Sequence, residues 1–405
     1  MNLPYFISKR ITKNDTGSFS TVINKIGVVS VAVALAALIG SFMILKGFEN
    51  TIKQKIYSFS GHLVVSKYTL STSYEQSSII ASDSLMESLL SLPGVDYAQT
   101  YAFKAGLLRT EEEVQGVILK GLDHNFDTTA FDKHMIAGSF PKFPNEKYGT
   151  EVAISAKIAS YLRLNVGDKV MVLFYQNPPR WRNLTITGIY ETGLEDFDNK
   201  VILGDIRLVQ LLNQWGDDTV GGIEVFLDDP DKMDEAETVV FENTDTDLYV
   251  DKVSDKYMQI FDWLRLLDRN VIIFFSLILG VASFNMVSIL LILIMERTQM
   301  VGVLKSLGAS NGLIRRIFFF NGFHLILRGL FWGNLISLGF CWVQMQFELI
   351  PLDPENYYMN HVPILFDFGA VLWINAFVIL ITAVTLFIPL GVISRIKPIK
   401  AIRFD

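Results

Sequence analysis

The sequence predicts a membrane protein with four transmembrane α-helices and a large α+β extracytoplasmic domain between the first and second helices. Half of the 405 residues are apolar and only 19% are charged, whereas an ordinary soluble protein of this length carries more charge. Four charge-free stretches are long enough to cross a bilayer. The segment between the first two is long enough to bury a core of its own.

Charged residues delimit the four apolar stretches. About 20 uncharged residues suffice to cross the hydrocarbon core, and an ionised side chain at its centre costs about 2.5–3.5 kcal/mol on insertion scales. No charge occurs between Lys25 and Lys46, from Val271 to Met295, from Gly329 to Phe347, or from Phe368 to Ser394. The predicted transmembrane helices are residues 26–45, 270–295, 317–347 and 368–394.

Positive charge orients these helices, because short cytoplasmic segments are enriched in Lys and Arg. Residues 1–25, 296–316 and 395–405 are therefore predicted to be cytoplasmic, and residues 46–269 and 348–367 to lie outside. A cleaved signal peptide is the alternative for the first stretch, but its leader of roughly 25 residues and the lack of a small-residue cleavage site favour an uncleaved anchor. The charges used are Lys9, Arg10, Lys13, Lys25, Arg297, Lys305, Arg315, Arg316, Arg395, Lys397, Lys400 and Arg403 inside, and Glu348, Asp353, Glu355 and Asp367 outside.

The outside segment, residues 46–269, mixes strand and helix patterns and has about 35 acidic against about 22 basic residues. Alternating apolar runs bounded by turn residues predict strands, and runs opened by Asp or Ser predict helices. The predicted strands are His62–Ser66, Val114–Leu119, Lys169–Phe174, Leu184–Tyr190, Ile223–Leu227 and Leu248–Val253. The predicted helices are Asp83–Ser91, Ser155–Leu162, Asp205–Leu212 and Asp231–Glu242.

No pattern in the sequence predicts catalysis or a cofactor bound by this chain. The single cysteine, Cys341, lies in an apolar stretch, so neither an internal disulfide nor a thiolate metal cluster is expected. The five histidines are scattered without metal-ligand spacing, and no GxxxxGK[ST] phosphate loop is present. No nucleic acid is expected as a partner, but the net charge of −7 is only weak evidence for this, because a whole-chain average misleads when charge is segregated between the two sides of a bilayer. A membrane-bound enzyme stays an alternative, although the carboxylates show no paired spacing.

The stretch from Asn177 to Arg182 contains two consecutive prolines beside a tryptophan and two arginines. Paired prolines favour an extended, stiff loop that exposes its neighbours, so this loop is a candidate for gripping a partner. A plain hairpin connection with a surface aromatic is the alternative.

The stretch from Ser254 to Arg269 has helical periodicity, and neither proline nor glycine separates it from the second predicted span. One long helix, about 60 Å for about 40 residues, is therefore predicted to leave the bilayer as a stalk that carries movement. A kinked helix without a transmitting role is the alternative.

The cytoplasmic loop from Glu296 to Ser310 predicts a short amphipathic helix. Val301, Leu304 and Leu307 form an apolar stripe, which Gly308 ends and after which Ser310 opens the next helix. Such a helix suits docking into a groove on a soluble partner, with Gly302 permitting close backbone approach.

With this loop, the chain resembles the ABC transporter permease family that includes the lipoprotein-releasing and macrolide-exporter permeases, and it is most similar to the lipoprotein-releasing members. The resemblance covers nearly the whole chain in the same order of spans. Besides the loop, the matching stretches are Gly47-Phe48, Ser60-Gly61-His62, Leu164–Val170, Gly188–Gly193 and Pro398–Arg403.

The resemblance implies a multi-pass permease of the bacterial inner membrane with cytoplasmic termini, working by mechanotransmission on a separate ATPase subunit that binds ATP and Mg. A second permease, identical or a sister, lipoprotein cargo, membrane lipid and a periplasmic lipoprotein carrier are the other implied partners. The implied ATPase contacts are Glu296, Arg297, Gly302, Leu304, Lys305, Leu307 and Gly308. The implied carrier contacts are Pro178, Pro179, Arg180, Trp181 and Arg182, a short segment for such a hook.

An apolar groove for lipid and cargo is expected between the first and second spans of facing subunits, where each buried methylene contributes about 0.8 kcal/mol. Its expected residues could equally serve bundle packing or face lipid. They are Val33, Ala37, Phe42, Ile44, Phe48, Phe274, Ile278 and Met286.

Two other functions stay open within this family. One is a mechanical exporter of drugs or peptides, and the other is a signalling permease that controls a cell-wall hydrolase. The depth of Arg328 in the third span is also open: Arg328 and His324 snorkel to the cytoplasmic interface if the bilayer begins near Gly329, whereas a bilayer that begins near Ile317 buries Arg328 and requires a partner for it.

Overall fold

The protein is described from a computed structural model, which covers residues 4, 6, 19–69, 77–126, 128–144, 147–353, 357 and 359–393. Several sequence predictions lie outside the described residues. These are the basic residues Lys9, Arg10 and Lys13, the outside charge Glu355, and the C-terminal segment 395–405 with its closing stretch Pro398–Arg403.

The described residues form both short helices and helices of membrane-spanning length. In chain order they are α1 (Phe19–Ser60), α2 (Asp83–Leu90), α3 (Thr129–Asp132), α4 (Ala156–Leu162), α5 (Glu195–Asp198), α6 (Ile206–Asn213), α7 (Met233–Glu242), α8 (Val253–Lys256), α9 (Met258–Glu296), α10 (Thr298–Ser306), α11 (Asn311–Phe347), α12 (Phe368–Thr385) and α13 (Phe387–Val392). A 3₁₀ turn, Pro230–Lys232, precedes α7.

The strands of the described residues follow the same order. They are β1 (Leu63–Lys67), β2 (Ile79–Ile80), β3 (Val95–Arg109), β4 (Val114–Leu122), β5 (Met135–Gly138), β6 (Glu151–Ser155), β7 (Lys169–Phe174), β8 (Arg180–Tyr190), β9 (Val201–Asp205), β10 (Thr219–Val220), β11 (Gly222–Leu227) and β12 (Leu248–Lys252).

Four helical segments are long and apolar enough to cross a membrane: Thr21–Ser60, Met258–Glu296, Asn311–Phe347 and Phe368–Val392. The prediction of four transmembrane helices is thereby confirmed. The third helix begins at Asn311, six residues before the predicted start, because the Ser310 side chain accepts a hydrogen bond from the Leu313 N–H and caps it there. The predicted continuous helix from Ser254 is interrupted, since Tyr257 leaves helical geometry between α8 and α9.

The chain divides into two compact units. The membrane unit takes its described residues from 1–50, 263–351 and 361–405, and the domain unit takes its own from 51–262 and 352–360. The core of the membrane unit is formed by buried apolar residues from α1, α9, α10, α11, α12 and α13.

Glycines on α11 bring that helix against α1. A Cβ on Gly329 would lie 2.6 Å from the Val31 Cβ, and a Cβ on Gly333 would lie 2.9 Å from the Ala32 carbonyl oxygen. Small residues permit such close backbone approach between membrane helices, where apolar burial alone gives no driving force.

The domain unit is built on one large, mostly antiparallel sheet. Six strands form a closed ring of hydrogen-bonded neighbours, in the order β3, β4, β9, β6, β8 and β7, with β7 pairing again with β3. The first half of β3 instead pairs with β11, which continues to β1 and β12. The long strand β3 therefore belongs both to the ring and to the row of strands formed with β11, β1 and β12. The predicted α+β class is confirmed.

Local capping explains where several domain helices begin. The Ser155 hydroxyl accepts from the Ile158 N–H and begins α4, and the Asp205 carboxylate accepts from the Arg207 N–H and begins α6. The sequence correctly indicated both residues. For α2 the cap is Ser82 rather than the predicted Asp83, because the Ser82 hydroxyl accepts from the Leu85 N–H.

Candidate functional sites

The predicted coupling segment is a helix in the structure, α10. Its C-terminus closes with the Ala309 N–H donating to the Leu304 carbonyl (2.9 Å) and with Gly308 at φ +88°, a conformation that glycine adopts without strain. The Ser310 cap then starts α11. The loop predicted to be cytoplasmic thus joins α10 to α11 by a tight turn, as its Gly and Ser residues predict.

The inward face of α10 contains much of the predicted docking stripe. Val301 and Gly302 are buried, and Leu304 packs against the core of the membrane unit. The Lys305 ammonium donates to the Ile393 carbonyl oxygen at 2.9 Å. The expectation that Gly302 offers its backbone to a partner is therefore corrected, since an apolar stripe on a short helix packs first against its own bundle.

The outward face of α10 is a different set of residues. Leu307 is 78% exposed and Val303 is 49% exposed, and Glu296, Gln299 and Gly308 are also exposed. Of the predicted ATPase contacts, the structure thus leaves Glu296, Leu307 and Gly308 open to solvent. Val303 is an addition that the sequence analysis missed, although its spacing of four residues from Leu307 places both on one helix face.

The segment predicted to grip a carrier is a hairpin tip. Strands β7 and β8 pair antiparallel, with Phe174 opposite Arg180 and Leu173 opposite Trp181. The alternative of a hairpin connection with a surface aromatic is therefore confirmed, and the extended loop is corrected. Arg180, Trp181 and Arg182 belong to β8, and only Tyr175–Pro179 forms the connection.

Side chains at this hairpin are exposed. Tyr175 is 84% exposed and Trp181 is 45% exposed, and Pro178 and Pro179 are exposed as well. The Arg182 guanidinium donates to the carbonyl of Trp181 (2.9 Å) and so fixes its own neighbour. The tip presents an aromatic surface that a protein partner could contact.

The residues predicted to line an apolar groove separate into three environments. Val33 and Phe274 are about 60% exposed, whereas Ala37, Ile44 and Ile278 are half-buried. Phe42 and Phe48 are half-buried against aromatic rings of α9. The ring centres of Phe42 and Phe275 are 6.4 Å apart, and those of Phe48 and Trp263 are 5.6 Å apart. Met286 is 1% exposed and belongs to the bundle core, so its assignment to the groove is corrected.

An apolar cleft of about 280 Å³ opens among α1, α9 and α12. Its walls are aliphatic and aromatic, so it suits a hydrocarbon chain rather than a polar ligand. Its α9 residues, Phe275 and Leu279, directly follow the predicted groove residues Phe274 and Ile278 in the chain. The lining residues are Leu38, Phe275, Leu279, Trp373, Ile374, Phe377 and Val378.

Gly47, part of a stretch that carries the family resemblance, lies where a loop backbone approaches α1. A Cβ on Gly47 would lie 2.6 Å from the Pro363 carbonyl oxygen, and the Leu365 N–H donates to the Met43 carbonyl at 3.1 Å. The loop before α12 is thereby held on α1, and only glycine leaves it room.

The depth of Arg328 along the helix bundle is indicated by its neighbour Gly329, which packs against Val28 and Val31 of α1. The charge-free stretch of α1 begins directly after Lys25, so Val28 is about 4.5 Å along the helix from that charge. Arg328 is exposed at this level. Its position agrees with a snorkelling side chain at the bilayer edge.

A buried polar cluster, which the sequence analysis missed, surrounds the C-terminal end of α1 in the domain unit. The Lys120 ammonium on β4 is 2.6 Å from Glu224 Oε1 on β11, and both side chains are at most 3% exposed. Lys120 also donates to the Phe59 carbonyl oxygen of α1 and lies 4.8 Å from the centre of the Phe59 ring. Gln99 Nε2 donates to Glu224 Oε2 at 2.8 Å.

Further contacts hold the same helix end. The Lys55 ammonium donates to the Thr192 carbonyl (2.6 Å), and the Phe59 ring is 3.9 Å from that of Phe197. Gly61, at φ +68°, ends the helix against Glu224. Thr192 and Gly61 belong to two stretches that carry the family resemblance, which is the signal that could have indicated this site.

Burial shifts the titration of several domain residues. It lowers the pKa of the Lys120 amine, an effect that the nearby Glu224 carboxylate opposes. It also lowers the pKa of His62 to about 4 and, together with the charges of Lys55 and Lys133, that of His134 to about 4. Both histidines are therefore neutral at pH 7. Among the described residues, no three His, Cys, Asp or Glu side chains come together as a candidate metal site.

Two protein families have models that match the chain. The MacB-like periplasmic core domain matches residues 26–240, more than half of the chain, and the FtsX-like permease C-terminal region matches residues 272–398. The first match contains most of α1 and most of the domain, and the second contains most of α9 together with α10 to α13.

Relatives match along nearly the whole chain at low identity. The lipoprotein-releasing system transmembrane protein LolC of Neisseria meningitidis serogroup B is 23% identical over 405 residues, which cover 96% of this chain and 95% of the relative. The corresponding protein LolE of Haemophilus influenzae is 24% identical over 350 residues, which cover 84% of this chain and 82% of the relative.

Among solved structures, the extracellular domain of the noncanonic ABC-type transporter YknZ from Gram-positive bacteria is 16% identical and covers 47% of this chain and 98% of that domain. Its TM-score of 0.32 is too low for a comparison of residues. The family matches, four membrane helices and one sheet-rich domain lead to a single assignment. The chain belongs to the permease family that combines a MacB-like periplasmic core domain with an FtsX-like C-terminal membrane region.

Proposed function

We propose that this chain is the permease subunit of an ATP-driven complex that extracts lipoproteins from the outer leaflet of the inner membrane and passes them to a periplasmic carrier. The observation that carries the proposal is the apolar cleft among α1, α9 and α12, whose walls suit an acyl chain. The full-length similarity to relatives named as lipoprotein-releasing proteins supports it.

The energetics explain why such a protein needs a motor. Each acyl methylene withdrawn from the bilayer costs about 0.8 kcal/mol, so lifting a lipoprotein with several chains costs tens of kcal/mol if no surface replaces the lipid. An apolar cleft lowers this cost by covering part of the chain. ATP hydrolysis on a partner subunit then supplies the remainder and drives release.

In this proposal the large domain is periplasmic and both termini are cytoplasmic, in the inner membrane. The basic residues of the α10 region, Arg297, Lys305, Arg315 and Arg316, support a cytoplasmic loop. A separate ATPase then docks on the outward face of α10, with Leu307 and Val303 as its apolar centre. Glu296 and Gly308 lie beside them.

The proposal includes a second permease, either a copy of this chain or a sister subunit. The exposed apolar residues Val33 on α1 and Phe274 on α9 belong to its contact surface or to the lipid-facing surface. The carrier contacts the hairpin tip at Pro178, Pro179 and Trp181, where the exposed Tyr175 extends the aromatic surface.

The test reconstitutes the chain with its ATPase and its second permease in vesicles that contain a triacylated lipoprotein. ATP is expected to release the lipoprotein to a soluble carrier, and release is measured as lipoprotein recovered in the supernatant. ATP turnover without release would contradict the proposal. Transport of a drug or peptide in the same vesicles would favour the exporter alternative.

The cleft is tested by filling it. Leu279→Trp is expected to reduce release at least fivefold with ATP turnover preserved, because the indole occupies space that an acyl chain would take. The matched control is Leu277→Trp, since Leu277 is on the same helix and 60% exposed but does not line the cleft. Equal release by both variants would remove the cleft from the mechanism.

A further inference from the structure

Helix α1 begins in the membrane unit and ends in the domain unit, and its C-terminal end is held by a residue from another element. The last carbonyl groups of a helix lack donors within that helix. At α1, the Tyr57 carbonyl accepts from the Gly61 N–H, and the Phe59 carbonyl accepts from the Lys120 ammonium. A cation at a helix C-terminus is also favoured by the helix dipole. Lys120 on β4 therefore caps α1.

The environment of Lys120 makes stability a poor explanation for this contact. Lys120 is 2% exposed, and its pair with Glu224 is surrounded by the rings of Phe59 and Tyr101. Burying two charges costs desolvation free energy that their attraction often only offsets, and apolar side chains of similar volume are often as stable or more so. What an ion pair adds over apolar packing is a defined geometry.

The geometry is specific because Lys120 satisfies two acceptors at once. Glu224 holds the ammonium from β11, and Gln99 of β3 holds the second carboxylate oxygen at 2.8 Å. The Phe59 carbonyl is the remaining acceptor, and it belongs to α1. An apolar residue at position 120 could fill the space but could not select one rotation or height of the helix end.

We propose that Lys120 is the positioning residue that fixes the end of α1 on the domain sheet, so that a movement of this helix becomes a movement of the sheet. The inference rests on the proposed function, in which ATP-driven motion of the membrane helices must reach the domain. The contact of Lys55 with Thr192, just after β8, and that of Phe59 with Phe197 of α5 hold the same helix end. Lys120 sets the register of the α1 end on the sheet.

The experiment replaces the ion pair by apolar residues in the full complex. Lys120→Met with Glu224→Leu removes both charges of the pair together, so that neither is left buried without the other. ATP turnover is expected to stay within twofold of the parent, while lipoprotein released per ATP falls at least tenfold. Unchanged release per ATP would overturn the proposal, because a merely stabilising pair can be replaced in this way.

A control variant removes a lysine from the same domain without touching α1. Lys252→Met breaks the ion pair of Lys252 with Asp234, which joins β12 to α7 at 2.8 Å. Release per ATP is expected to stay within twofold. If the apolar double variant does not assemble, Lys120→Gln with Glu224→Gln takes its place, and the same fall in release per ATP is expected. The glutamine side chain is shorter than lysine and cannot donate a hydrogen bond to the Phe59 carbonyl oxygen.

A second readout is independent of cargo. Spin labels are placed at Gln54 on α1 and Asp96 on β3, both exposed, in a Cys341→Ala background. One narrow distance is expected in the parent and in Lys252→Met, and a broadened or displaced distribution in the apolar double variant. An unchanged distribution would overturn the positioning role. Absence of release in the parent would contradict only the proposed function, because the distances still report on Lys120.

Discussion

The membrane unit and the domain unit hold their elements together by different means. Between α1 and α11, glycines at 329 and 333 bring backbones within contact distance, whereas at the end of α1 a buried lysine and glutamate join a helix to a sheet. Lipid is as apolar as a helix face, so close fit decides helix association. In a domain exposed to water, apolar burial already supplies the driving force, and polar groups select among packed arrangements.

The strongest test of this difference removes one charge of the domain pair. Lys120→Met leaves Glu224 buried beside Gln99 with its cationic partner gone, and an uncompensated buried charge costs about 3–5 kcal/mol. The apolar double variant Lys120→Met with Glu224→Leu is expected to recover most of this loss. Both are measured by denaturant unfolding of the full chain in detergent, followed by a domain tryptophan. Equal stability of the single and double variants would contradict the argument.

The second test addresses the close fit between membrane helices. Gly329→Leu places a side chain where the Val31 Cβ already lies within 2.6 Å, so α1 and α11 must separate. Overpacking costs about 1–3 kcal/mol, and the upper end is expected at this position. The measurement is the melting temperature of the full chain in detergent.

Gly339→Leu is the matched control for that substitution. Gly339 is on the same helix and has no atom within 4 Å of a Cβ position, so a side chain there extends from the helix surface. Its melting temperature is expected to match the parent within a few degrees. Equal losses at both glycines would show that helix propensity or insertion, rather than close approach, is responsible.

The sequence predicted the membrane unit well because its main signal is local. Charges such as Lys25, Lys46 and Glu296 bound apolar stretches whose length alone indicates a span. The outcome was poorer where the direction of a side chain matters. Gly302 and Met286 are buried although the sequence predicts them at contact surfaces, because periodicity locates a helix face without saying what that face contacts.

In the domain, the sequence predicted individual strands and helix starts, but not which elements contact each other. The strand Lys169–Phe174 and the Ser155 and Asp205 caps agree with the structure, since each depends on a few adjacent residues. The long strand β3 was missed, because two of its three pairing partners, β7 and β11, are far away in sequence. Lys120 and Glu224 are likewise 104 residues apart, and nothing in the local sequence of either predicts the pair.

The third test uses a domain histidine. The pKa of His62 is about 4 in the fold because the ring is buried, against about 6.5 when unfolded. Below pH 6.5 the unfolded chain therefore binds a proton that the folded chain excludes, so stability falls as the pH falls from 6.5 towards 4. The loss from His62 is about 2 kcal/mol between pH 7 and pH 5.

The His62→Gln variant separates this contribution from that of other groups. Glutamine does not titrate but can still accept a hydrogen bond, as the His62 Nδ1 does from the Leu227 N–H at 2.9 Å. Its stability relative to the parent, from melting temperatures at a series of pH values, is expected to improve between pH 7 and pH 5. A pH-independent difference would mean that His62 does not titrate with folding.

The smallest expected effect is in the membrane unit, where Asn334 of α11 and Asn375 of α12 form a reciprocal amide pair. Each Nδ2 donates to the other side chain's oxygen, at 2.7 and 2.9 Å. If polar groups in membrane helices acted as the domain pair does, removing one would cost several kcal/mol. Hydrogen bonds between membrane helices contribute only about 0.6 kcal/mol on average and about 1.7 at most, because the separated helices find other partners. A double-mutant cycle with Asn334→Ala and Asn375→Ala is therefore expected to give a coupling free energy of about 1 kcal/mol. A coupling free energy as large as the stability loss expected for Lys120→Met would contradict the contrast between the two units.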